Sequence, residues 1–396
     1  MRTHLRRPAS SSATDFSSDF KITHKDFSTI PSMHEPANIE ELQDIVRATE
    51  RIRVCGAGTK PALSNGAIIS TAGMSGILEY EPTEYTFTAL AGTPLSEIRD
   101  ALAKNGQLFP FDPPFVEAGA TLGGTTASGL SGPGRFRYGG IRDFILGVKM
   151  VTGEGRAVFG GGKVVKNAAG FDIPKLVTGS LGRLGVLVEL TFKVFPTPET
   201  WTTIRADFSD VETGNAAMIR LAMAQEELQC LDLDPPGRVW LRIGGLSAAV
   251  SARTDRVRNI LLQADSDVKI ETLSGDDDAQ VWNDAREFRW VPGNHQLVKV
   301  PIAPAQVVKA EKFLTEAGFE SVRRYSVGGN VLWLALPENA GKDELDLVCQ
   351  TLGRPALALT GNWSDPQRGL RQGPAFADRL LTVFDPDSRF NFTPTA

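Results

Sequence analysis

Runs of alternating apolar and polar residues, and longer stretches with helical spacing, divide this chain into predicted elements. Apolar residues recur every three to four positions over 39–46, directly after Asn38, and this pattern predicts a capped amphipathic helix. Alternation over 186–194 predicts a half-buried strand. Two apolar runs, 145–151 and 156–159, flank a Thr-Gly-Glu-Gly sequence and predict a β-hairpin.

Further elements follow from the same patterns. Thr93 and Pro94 predict a helix start, with Thr93 as the cap and Pro94 at the first helical position, and Gly106 marks the helix end. Residues 305–317 predict another helix. Strands are predicted at 52–55, 67–70, 85–91, 239–243 and 331–336. A Pro-Thr-Pro triplet at 196–198 separates a glycine-dense part from one with alternating strands and helices, which predicts a domain boundary.

Composition narrows the class of protein. Of 396 residues, 41% are hydrophobic and 22% are charged, which is typical of a globular chain with two or three domains. The net charge of −5 argues against general nucleic-acid binding. The sequence has no run of about 18 apolar residues, the length that a membrane-spanning helix needs.

Cysteine and histidine usage bears on metals and on the compartment. Cys55, Cys230 and Cys349 lie far apart and form no CxxC pair, so we expect neither structural zinc nor an iron–sulfur cluster. Free thiols favour a reducing, cytoplasmic compartment. The four histidines lack metal-binding spacing, and no metal site is predicted. Residues 1–31 are predicted to be a disordered tail; a targeting peptide is the alternative, although its aspartates argue against one.

The stretch RVCGAGTKPALSNGAIIST, residues 53–71, begins like a dinucleotide-binding turn. A Rossmann turn needs a third glycine and a long crossover helix, but Pro61 stands at the glycine position and only residues 59–66 precede the next apolar run. We therefore predict a loop there and no Rossmann domain. The loop is either a nest of backbone N–H groups that binds a phosphate together with Thr59 and Lys60, or a plain glycine-rich turn.

Two more glycine-rich segments change the balance between these alternatives. They cover 111–140 and 160–187. Glycine loses more conformational freedom on folding than other residues, so this density is costly unless the backbone must approach something closely. A flat ligand or a pyrophosphate would require such an approach.

The three segments together resemble a known family. GAGT at 56–59, ATLGGTTASGLSGP at 120–133 and GSLGRLGVL at 179–187 are similar, in order and spacing, to the cofactor loops of FAD-linked oxidases of the vanillyl-alcohol oxidase and p-cresol methylhydroxylase type. RYGGIRDFILGV at 137–148 and VKNAAGFDIPKL at 165–176 more closely resemble the E subunits of bacterial glycolate oxidases.

The resemblance implies an α+β protein with a two-subdomain FAD-binding fold of the p-cresol methylhydroxylase type and an α/β cap. It implies an FAD-binding domain at 32–198, divided into 32–91 and 92–198, and a cap at 199–375. Residues 376–396 would return to the FAD-binding domain, although the family's Pro-Gly after Asn391 is Phe392-Thr393 here.

The same resemblance implies a set of cofactor-binding residues. They are Gly56, Ala57, Gly58, Thr59, Lys60, Thr121, Gly123, Gly124, Ser128, Gly129, Tyr138, Gly185 and Val186. Tyr138 is either a ring contact or a core residue, and Lys166 and Asp172 form either a brace of the third segment or a surface ion pair. Residues 56–60 lack the histidine that carries covalent FAD in many relatives, so we predict noncovalent FAD and treat Cys55 as a buried small residue.

Oxidation of a 2-hydroxy acid requires a cation for the carboxylate and a base for the hydroxyl proton. The cap offers arginines 242, 289, 323 and 324 for the first role, and His295 is the weak candidate for the second. The absence of a paired histidine favours a redox subunit that oxidises glycolate together with a paralogous FAD subunit and an iron–sulfur subunit, either in the cytoplasm or at the inner face of a membrane. The alternatives are a self-sufficient dehydrogenase for another 2-hydroxy acid or alcohol, such as D-lactate, and a noncatalytic FAD-binding scaffold.

Overall fold

The structure is a computed structural model, and it describes residues 33–162, 171–370 and 373–390. The predicted tail at 1–31 lies outside the described residues, as do Lys166 and residues 391–396. The described Asp172 caps a helix by accepting a hydrogen bond from the Lys175 amide, and its carboxylate lies 3.4 Å from the ammonium of Lys175.

The described helices range from single turns to 18 residues and occur along the whole chain. They are α1 (Ile39–Ala48), α2 (Pro61–Ser64), α3 (Leu95–Ala103), α4 (Leu122–Ser128), α5 (Arg135–Tyr138), α6 (Ile141–Phe144), α7 (Ile173–Val177), α8 (Val211–Met223), α9 (Ser247–Ala264), α10 (Gly275–Arg286), α11 (Val307–Glu316), α12 (Lys342–Leu352) and α13 (Pro374–Phe384).

The described strands are short, and most pair antiparallel with their neighbours. They are β1 (Val54–Cys55), β2 (Ile69–Ser70), β3 (Ile77–Glu81), β4 (Thr86–Leu90), β5 (Gln107–Leu108), β6 (Ile145–Val151), β7 (Ala157–Gly161), β8 (Val186–Lys193), β9 (Phe195–Pro196), β10 (Thr200–Asp207), β11 (Cys230–Asp234), β12 (Arg238–Gly245), β13 (Lys269–Ser274), β14 (His295–Pro301), β15 (Val322–Ser326), β16 (Val331–Pro337), β17 (Ala356–Ala358) and β18 (Gln367–Arg368).

The first half of the described chain forms an antiparallel sheet with the order β3-β4-β8-β6-β7. Its core is rich in phenylalanine: the ring of Phe192 lies 6.0 Å from that of Phe87 and 5.5 Å from that of Phe111. Because apolar residues alternate along β8, one face of this strand enters the core while Glu189, Thr191 and Lys193 stay partly exposed.

A second sheet lies between residues 200 and 368, with the order β13-β10-β12-β11-β15-β16-β14-β17-β18. Helices α8, α9, α11 and α12 contribute apolar residues to the core on one face of this sheet. On the other face, Leu297 and Trp333 belong to the core of the first sheet. The two sheets therefore share an apolar contact, and this face of the second sheet is turned toward the glycine-rich half of the molecule.

A third, smaller cluster joins the two ends of the described chain. Strands β1 and β2 pair in parallel, and their residues pack with Leu42, Val46 and Phe390. The Ile52 amide donates a hydrogen bond to the Arg389 carbonyl at 2.7 Å. The C-terminal residues up to 390 thus pack beside the strand that leads into the first glycine loop.

Several sequence predictions are confirmed. Asn38 caps α1 by accepting a hydrogen bond from the Glu41 amide at 2.9 Å, and β6 covers the predicted residues 145–151. The strand predicted at 186–194 is β8, which ends at Lys193. The fold is α+β, as the resemblance implied.

Two local predictions are wrong. The predicted loop at 59–66 contains the one-turn helix α2, although a single turn is far shorter than a Rossmann crossover. Pro94, and not Thr93, is the N-cap of α3, because the Thr93 hydroxyl donates to the Leu90 carbonyl at 2.7 Å instead. Helix α13, near the C-terminus, was not predicted from the sequence.

Candidate functional site

The three glycine-rich segments meet at one cleft, which encloses about 670 Å³. Ten of the predicted cofactor-binding residues line it. They are Gly56, Ala57, Gly58, Thr59, Lys60, Thr121, Gly123, Gly124, Ser128 and Gly185. Leu181 and Gly182 also line the cleft and were not singled out from the sequence, although they lie within the third segment.

The first wall is the loop between β1 and α2. Gly58 has a φ of +70°, and nothing lies within 4 Å of the position that a Cβ would take there. Gly56 is different, because a Cβ at this position would lie 2.1 Å from the Thr121 hydroxyl. Glycine at 56 thus lets the first segment touch the second, whereas glycine at 58 leaves open space at the cleft.

The second wall is α4 with its cap. The Thr121 hydroxyl accepts a hydrogen bond from the Gly124 amide at 3.2 Å and so fixes the start of the helix. A Cβ on Gly123 would lie 2.7 Å from that of Ala91, so glycine allows α4 to pack directly on the chain that leaves β4. Gly129 ends the helix in the left-handed region, with φ of +63°.

The third wall is attached to the second by backbone hydrogen bonds. The Leu181 amide donates to the Ala127 carbonyl at 2.8 Å, and the Gly179 amide donates to the Thr126 carbonyl at 3.0 Å. Gly182 has a φ of +75°, with only one atom of Val54 at 4.0 Å from the position of a Cβ, so it too leaves open space.

Three predicted cofactor contacts do not line this cleft in the described structure. Gly129 contacts the backbone of Gly179 behind the wall, and Val186 is fully buried in the cluster around β1 and β2. The Tyr138 ring packs 5.4 Å from that of Phe195 and lines a different groove. Cys55 is partly buried and does line the cleft, and burial raises the pKa of its thiol.

Lys60 indicates that the cleft binds an anion. Its side chain is only 7% exposed, and its ammonium donates to the Thr59 hydroxyl at 2.9 Å and lies 5.6 Å from the Phe115 ring. Burial lowers the pKa of Lys60 to about 8. No carboxylate among the described residues forms an ion pair with it. A buried charge without a partner is unfavourable, and a phosphate in the cleft would supply the missing negative charge.

The cap arginines predicted to hold a carboxylate are already paired. Arg289 forms ion pairs with Glu117 and with Asp284, while Arg324 donates to Asp232 at 2.8 Å. Two further pairs complete this set: Arg323 with Glu311 at 3.2 Å, and Arg242 with Asp278 through two guanidinium nitrogens. The charge of each of these arginines is therefore paired within the protein, although one amino nitrogen of Arg323 and one of Arg324 are buried without a hydrogen-bond partner among the described residues.

His295 lies at the first residue of β14, where Nδ1 is 2.8 Å from the Asn294 side-chain oxygen. Sequence reasoning missed Lys299, which is four residues further along the same strand. The lysine faces the core shared with the first sheet, and its ammonium lies 5.9 Å from the Trp333 ring. Burial, with a smaller effect of the Arg135 charge, lowers the pKa of Lys299 to about 8.

No acidic partner for Lys299 or for Arg135 occurs among the described residues. The signal for Lys299 was available in the sequence: it interrupts the apolar stretch Leu-Val-Lys-Val-Pro-Ile, where a lysine is costly to bury. The pattern alone did not show which face of the strand it occupies.

A row of aromatic rings lies between Lys60 and Lys299. From Lys60, the row runs through Phe115 at 5.6 Å, then to Phe288 with centroids 4.9 Å apart, and then to Trp333 at 4.8 Å. The Lys299 ammonium lies 5.9 Å from the Trp333 ring. Three aromatic rings therefore connect the lysine at the glycine cleft to the lysine of the second sheet.

A backbone hydrogen bond also connects the cleft to the cap. The Ala62 amide, in α2, donates to the Leu359 carbonyl at 3.2 Å, and the Leu359 amide donates to the Leu297 carbonyl at 2.8 Å. The turn that follows the first glycine loop is thus anchored on the second sheet.

Comparison with known proteins agrees with this geometry. Residues 32–160 match the model of a family described as an FAD binding domain. The glycolate oxidase subunit GlcE of Escherichia coli (strain K12) is 32% identical over 298 residues, which cover 72% of this chain and 79% of that protein. The chain belongs to the GlcE family. FAD is accordingly its cofactor, and the unpaired ammonium, the open glycine positions and the size of the cleft fit that molecule.

More distant relatives share a smaller part of the GlcE-like chain. Glycolate oxidase subunit GlcD of Bacillus subtilis is 30% identical over 188 residues, 45% of this chain and 39% of that protein. D-2-hydroxyglutarate dehydrogenase of Xanthomonas citri is 32% identical over 173 residues, 41% of this chain and 36% of that protein.

A solved structure of alkyldihydroxyacetonephosphate synthase has a TM-score of 0.66 at 17% identity. The alignment covers 91% of this chain and 76% of the synthase chain, so the similarity in fold includes the second sheet as well as the first. Among the described residues of this GlcE relative, no helix is long and apolar enough to cross a membrane.

Proposed function

We propose that this chain is the FAD-binding subunit of a glycolate oxidase-like complex, in which it oxidises a small 2-hydroxy acid, such as glycolate, to the 2-oxo acid. The observation that carries the proposal is a pair of lysines without acidic partners among the described residues, one buried and one partly buried. Lys60 lies at the glycine cleft, and Lys299 lies at the other end of the row formed by Phe115, Phe288 and Trp333. The first suits the phosphates of the cofactor, and the second suits the carboxylate of the substrate.

In this proposal the chain holds FAD mainly with its backbone. The N–H groups of 56–59 and the open surfaces of Gly58 and Gly182 receive the pyrophosphate, and the Lys60 ammonium neutralises part of its charge. The loop has no histidine, and we propose that the cofactor is noncovalent. When bound, FAD supplies the two-electron acceptor that the oxidation of a 2-hydroxy acid requires.

Lys299 and Arg135 hold the substrate carboxylate. Both side chains are positive, and the charge of Arg135 contributes to the lowered pKa of Lys299. An anion between the two side chains would offset this repulsion. The indole N–H of Trp290 adds a donor, because it is buried and has no hydrogen-bond partner among the described residues. The Trp290 ring lies 6.2 Å from that of Phe288, at the edge of the aromatic row.

The earlier candidates fit this role less well. His295 is four residues from Lys299, which in a strand corresponds to about 13 Å, too far for both to contact one small acid. Moving any of the paired cap arginines to a substrate would leave its carboxylate partner unpaired. The rings of Phe288 and Trp333 beside Lys299 favour a small substrate over a bulky one.

We propose that a paralogous FAD subunit and an iron–sulfur subunit complete the assembly. The chain has only three cysteines, whereas a Cys₄ cluster needs four, so electrons that leave FAD for an iron–sulfur carrier must cross to another chain. The names of the matched GlcE and GlcD proteins, both subunits of glycolate oxidase, support such an arrangement.

A second candidate function is a self-sufficient dehydrogenase for D-lactate or a related acid. The observation that favours it is Lys299, since a cation for the substrate carboxylate on this chain would let it bind and oxidise its substrate without a partner subunit. Both functions use the same two lysines, and they differ in whether the isolated chain is reduced by substrate.

The visible spectrum of the purified chain tests these functions together. We expect a yellow protein whose flavin is released by acid precipitation, which would identify it as noncovalent. Anaerobic addition of glycolate or D-lactate should bleach the flavin if the chain is catalytic alone; bleaching only after co-expression with its partner subunits would favour the complex. A colourless protein that takes up no FAD would contradict both and leave the scaffold hypothesis.

A further inference from the structure

A second groove lies between the two halves of the described molecule and shares no lining residue with the glycine cleft. It encloses about 960 Å³, including its open mouth. One side is formed by the end of α3, by β5 and by the following loop, and the other by β10, β11, β12 and α10. The groove therefore lies where the first sheet's half meets the cap.

Part of the groove lining is apolar. The apolar residues that line it are Leu108, Phe109, Pro110, Pro113 and Val116, and the Tyr138 ring also lines the groove. An apolar wall of this kind contributes to binding by removing the flat surface of a ligand from water.

The groove also carries positive charge. Arg99, Arg242 and Arg286 line it, and Asp112 is the one carboxylate among its described lining residues. The Arg286 guanidinium is held by Asp112 at 3.0 Å, and this leaves its other amino group without a hydrogen-bond partner among the described residues. Because a guanidinium that is already oriented loses less entropy on binding, Arg286 is suited to bind a carboxylate.

Arg242 is oriented in a similar way. Its Nε and one amino nitrogen donate to Asp278, and its guanidinium carbon lies 4.0 Å from the centre of the Trp201 ring. The stacking and the ion pair fix the plane of the guanidinium, so its remaining amino group points in a constant direction.

Gln229 provides an independent observation. Its side chain is only 6% exposed, it lines the groove, and its amide oxygen has no hydrogen-bond partner in the described structure. The Gln229 side chain interacts with the Tyr138 hydroxyl in the same groove, but its oxygen remains without a donor. A buried acceptor without a donor costs about 1–3 kcal/mol, and a ligand N–H or O–H group would remove that cost.

We propose that this groove is a second ligand site, which binds an aromatic carboxylate carrying a hydrogen-bond donor. The ring lies against the apolar wall, the carboxylate meets the remaining N–H groups of Arg242 and Arg286, and the donor meets Gln229. The site shares no lining residue with the FAD cleft and does not include Lys299, so we expect that its ligand is not oxidised there.

Indole-3-acetate is a suitable probe, since it carries a carboxylate, a flat ring and an N–H. We expect calorimetric binding to the FAD-loaded full chain without a change in the visible flavin spectrum. Naphthalene-1-acetate, which lacks the N–H, should bind roughly tenfold more weakly. In Gln229→Leu the two probes should bind equally, and Arg99→Gln should weaken both.

Two variants with matched chemistry decide whether binding occurs in the groove. Ala103 is the exposed last residue of α3 at the groove, and Ala48 is the exposed last residue of α1 away from it. Ala103→Trp should abolish the binding of indole-3-acetate, whereas Ala48→Trp should leave it unchanged. Absence of binding to the unaltered chain, or equal binding by the two tryptophan variants, would overturn the proposal.

Discussion

Burial lowers the pKa of both Lys60 and Lys299 to about 8, although Lys299 is only partly buried, and their surroundings are built in different ways. Lys60 belongs to a cleft whose walls are backbone, with glycines that either touch another segment or leave open space. Lys299 lies on a sheet face whose walls are aromatic side chains. A site built from backbone can be recognised in a sequence, because glycine is needed at fixed positions. A site built from side chains, such as that of Lys299, shows in the sequence only as one lysine in an apolar strand.

The two lysines can be compared most directly through the pH dependence of the free energy of unfolding. Both remain charged and destabilising in the native FAD-free protein below pH 8, while the unfolded chain keeps them protonated up to about 10.5. Between these values the unfolded state binds more protons, so the free energy of unfolding rises with pH. We expect about 3 kcal/mol from Lys60 and less from Lys299, which keeps some solvent contact.

Urea unfolding of the FAD-free protein between pH 7 and pH 10 measures this effect. Lys60→Met should be more stable than the unaltered chain at pH 7 and should show a flatter pH profile. Identical profiles for the two proteins would mean that Lys60 is not a buried, unpaired charge in solution.

Lys299→Met tests the cap side of the comparison. Methionine keeps the volume and removes the charge, so folding and FAD content should not suffer, but one charged hydrogen bond to the substrate carboxylate is lost. We expect kcat/KM for glycolate, or the anaerobic rate constant for flavin reduction, to fall ten- to hundredfold. Lys309→Met on the exposed side of α11 is the control. An unaltered rate in Lys299→Met would remove this residue from the substrate site.

Lys60→Met tests the cleft side. Its loss should weaken FAD binding roughly tenfold, since a charged hydrogen bond to phosphate is removed, while the FAD-free protein gains stability. Fluorescence titration of the FAD-free chain measures the affinity, and Lys104→Met, at an exposed helix end, provides the comparison. The distinguishing result is a lower affinity for FAD together with a higher stability of the FAD-free protein. A decrease in both would indicate that the substitution disrupts the fold.

A smaller effect distinguishes glycine that faces the cofactor from glycine that only permits a turn. Gly58 and Gly106 have φ of +70° and +62°, and a Cβ at either position would have nothing within 4 Å. Alanine at either should cost about 1 kcal/mol of stability through the left-handed backbone. Only Gly58→Ala should also weaken FAD binding. Equal FAD affinities in the two variants would place the cofactor away from Gly58.

Most of the residues proposed for the cleft were placed there correctly from the sequence, although part of the reason given for the glycines was wrong. Glycine density predicted that three segments approach a ligand, and ten of the proposed residues do line one cleft. At Gly56 and Gly123, however, the close neighbour is another part of the protein, namely Thr121 and Ala91. A sequence shows that a backbone must come close to something, but it does not show whether that is ligand or protein.

The cap was much less predictable. An arginine in the sequence carries no sign of its partner: Arg324 pairs with Asp232, 92 residues earlier, and Arg242 with Asp278, 36 residues later. Such pairs form only when strands and helices assemble. Tyr138 illustrates the same limit, since only the tertiary packing against Phe195 places it at the second groove.

The bond from Ala62 to Leu359 has a consequence for dissecting the molecule. Since the turn after the first glycine loop is tethered to Leu359, a fragment that stops at residue 198 would keep Phe115 beside Lys60 but would lose this tether and the rings of Phe288 and Trp333. We therefore expect the isolated N-terminal half to release FAD more readily than the full chain, even with every glycine in place.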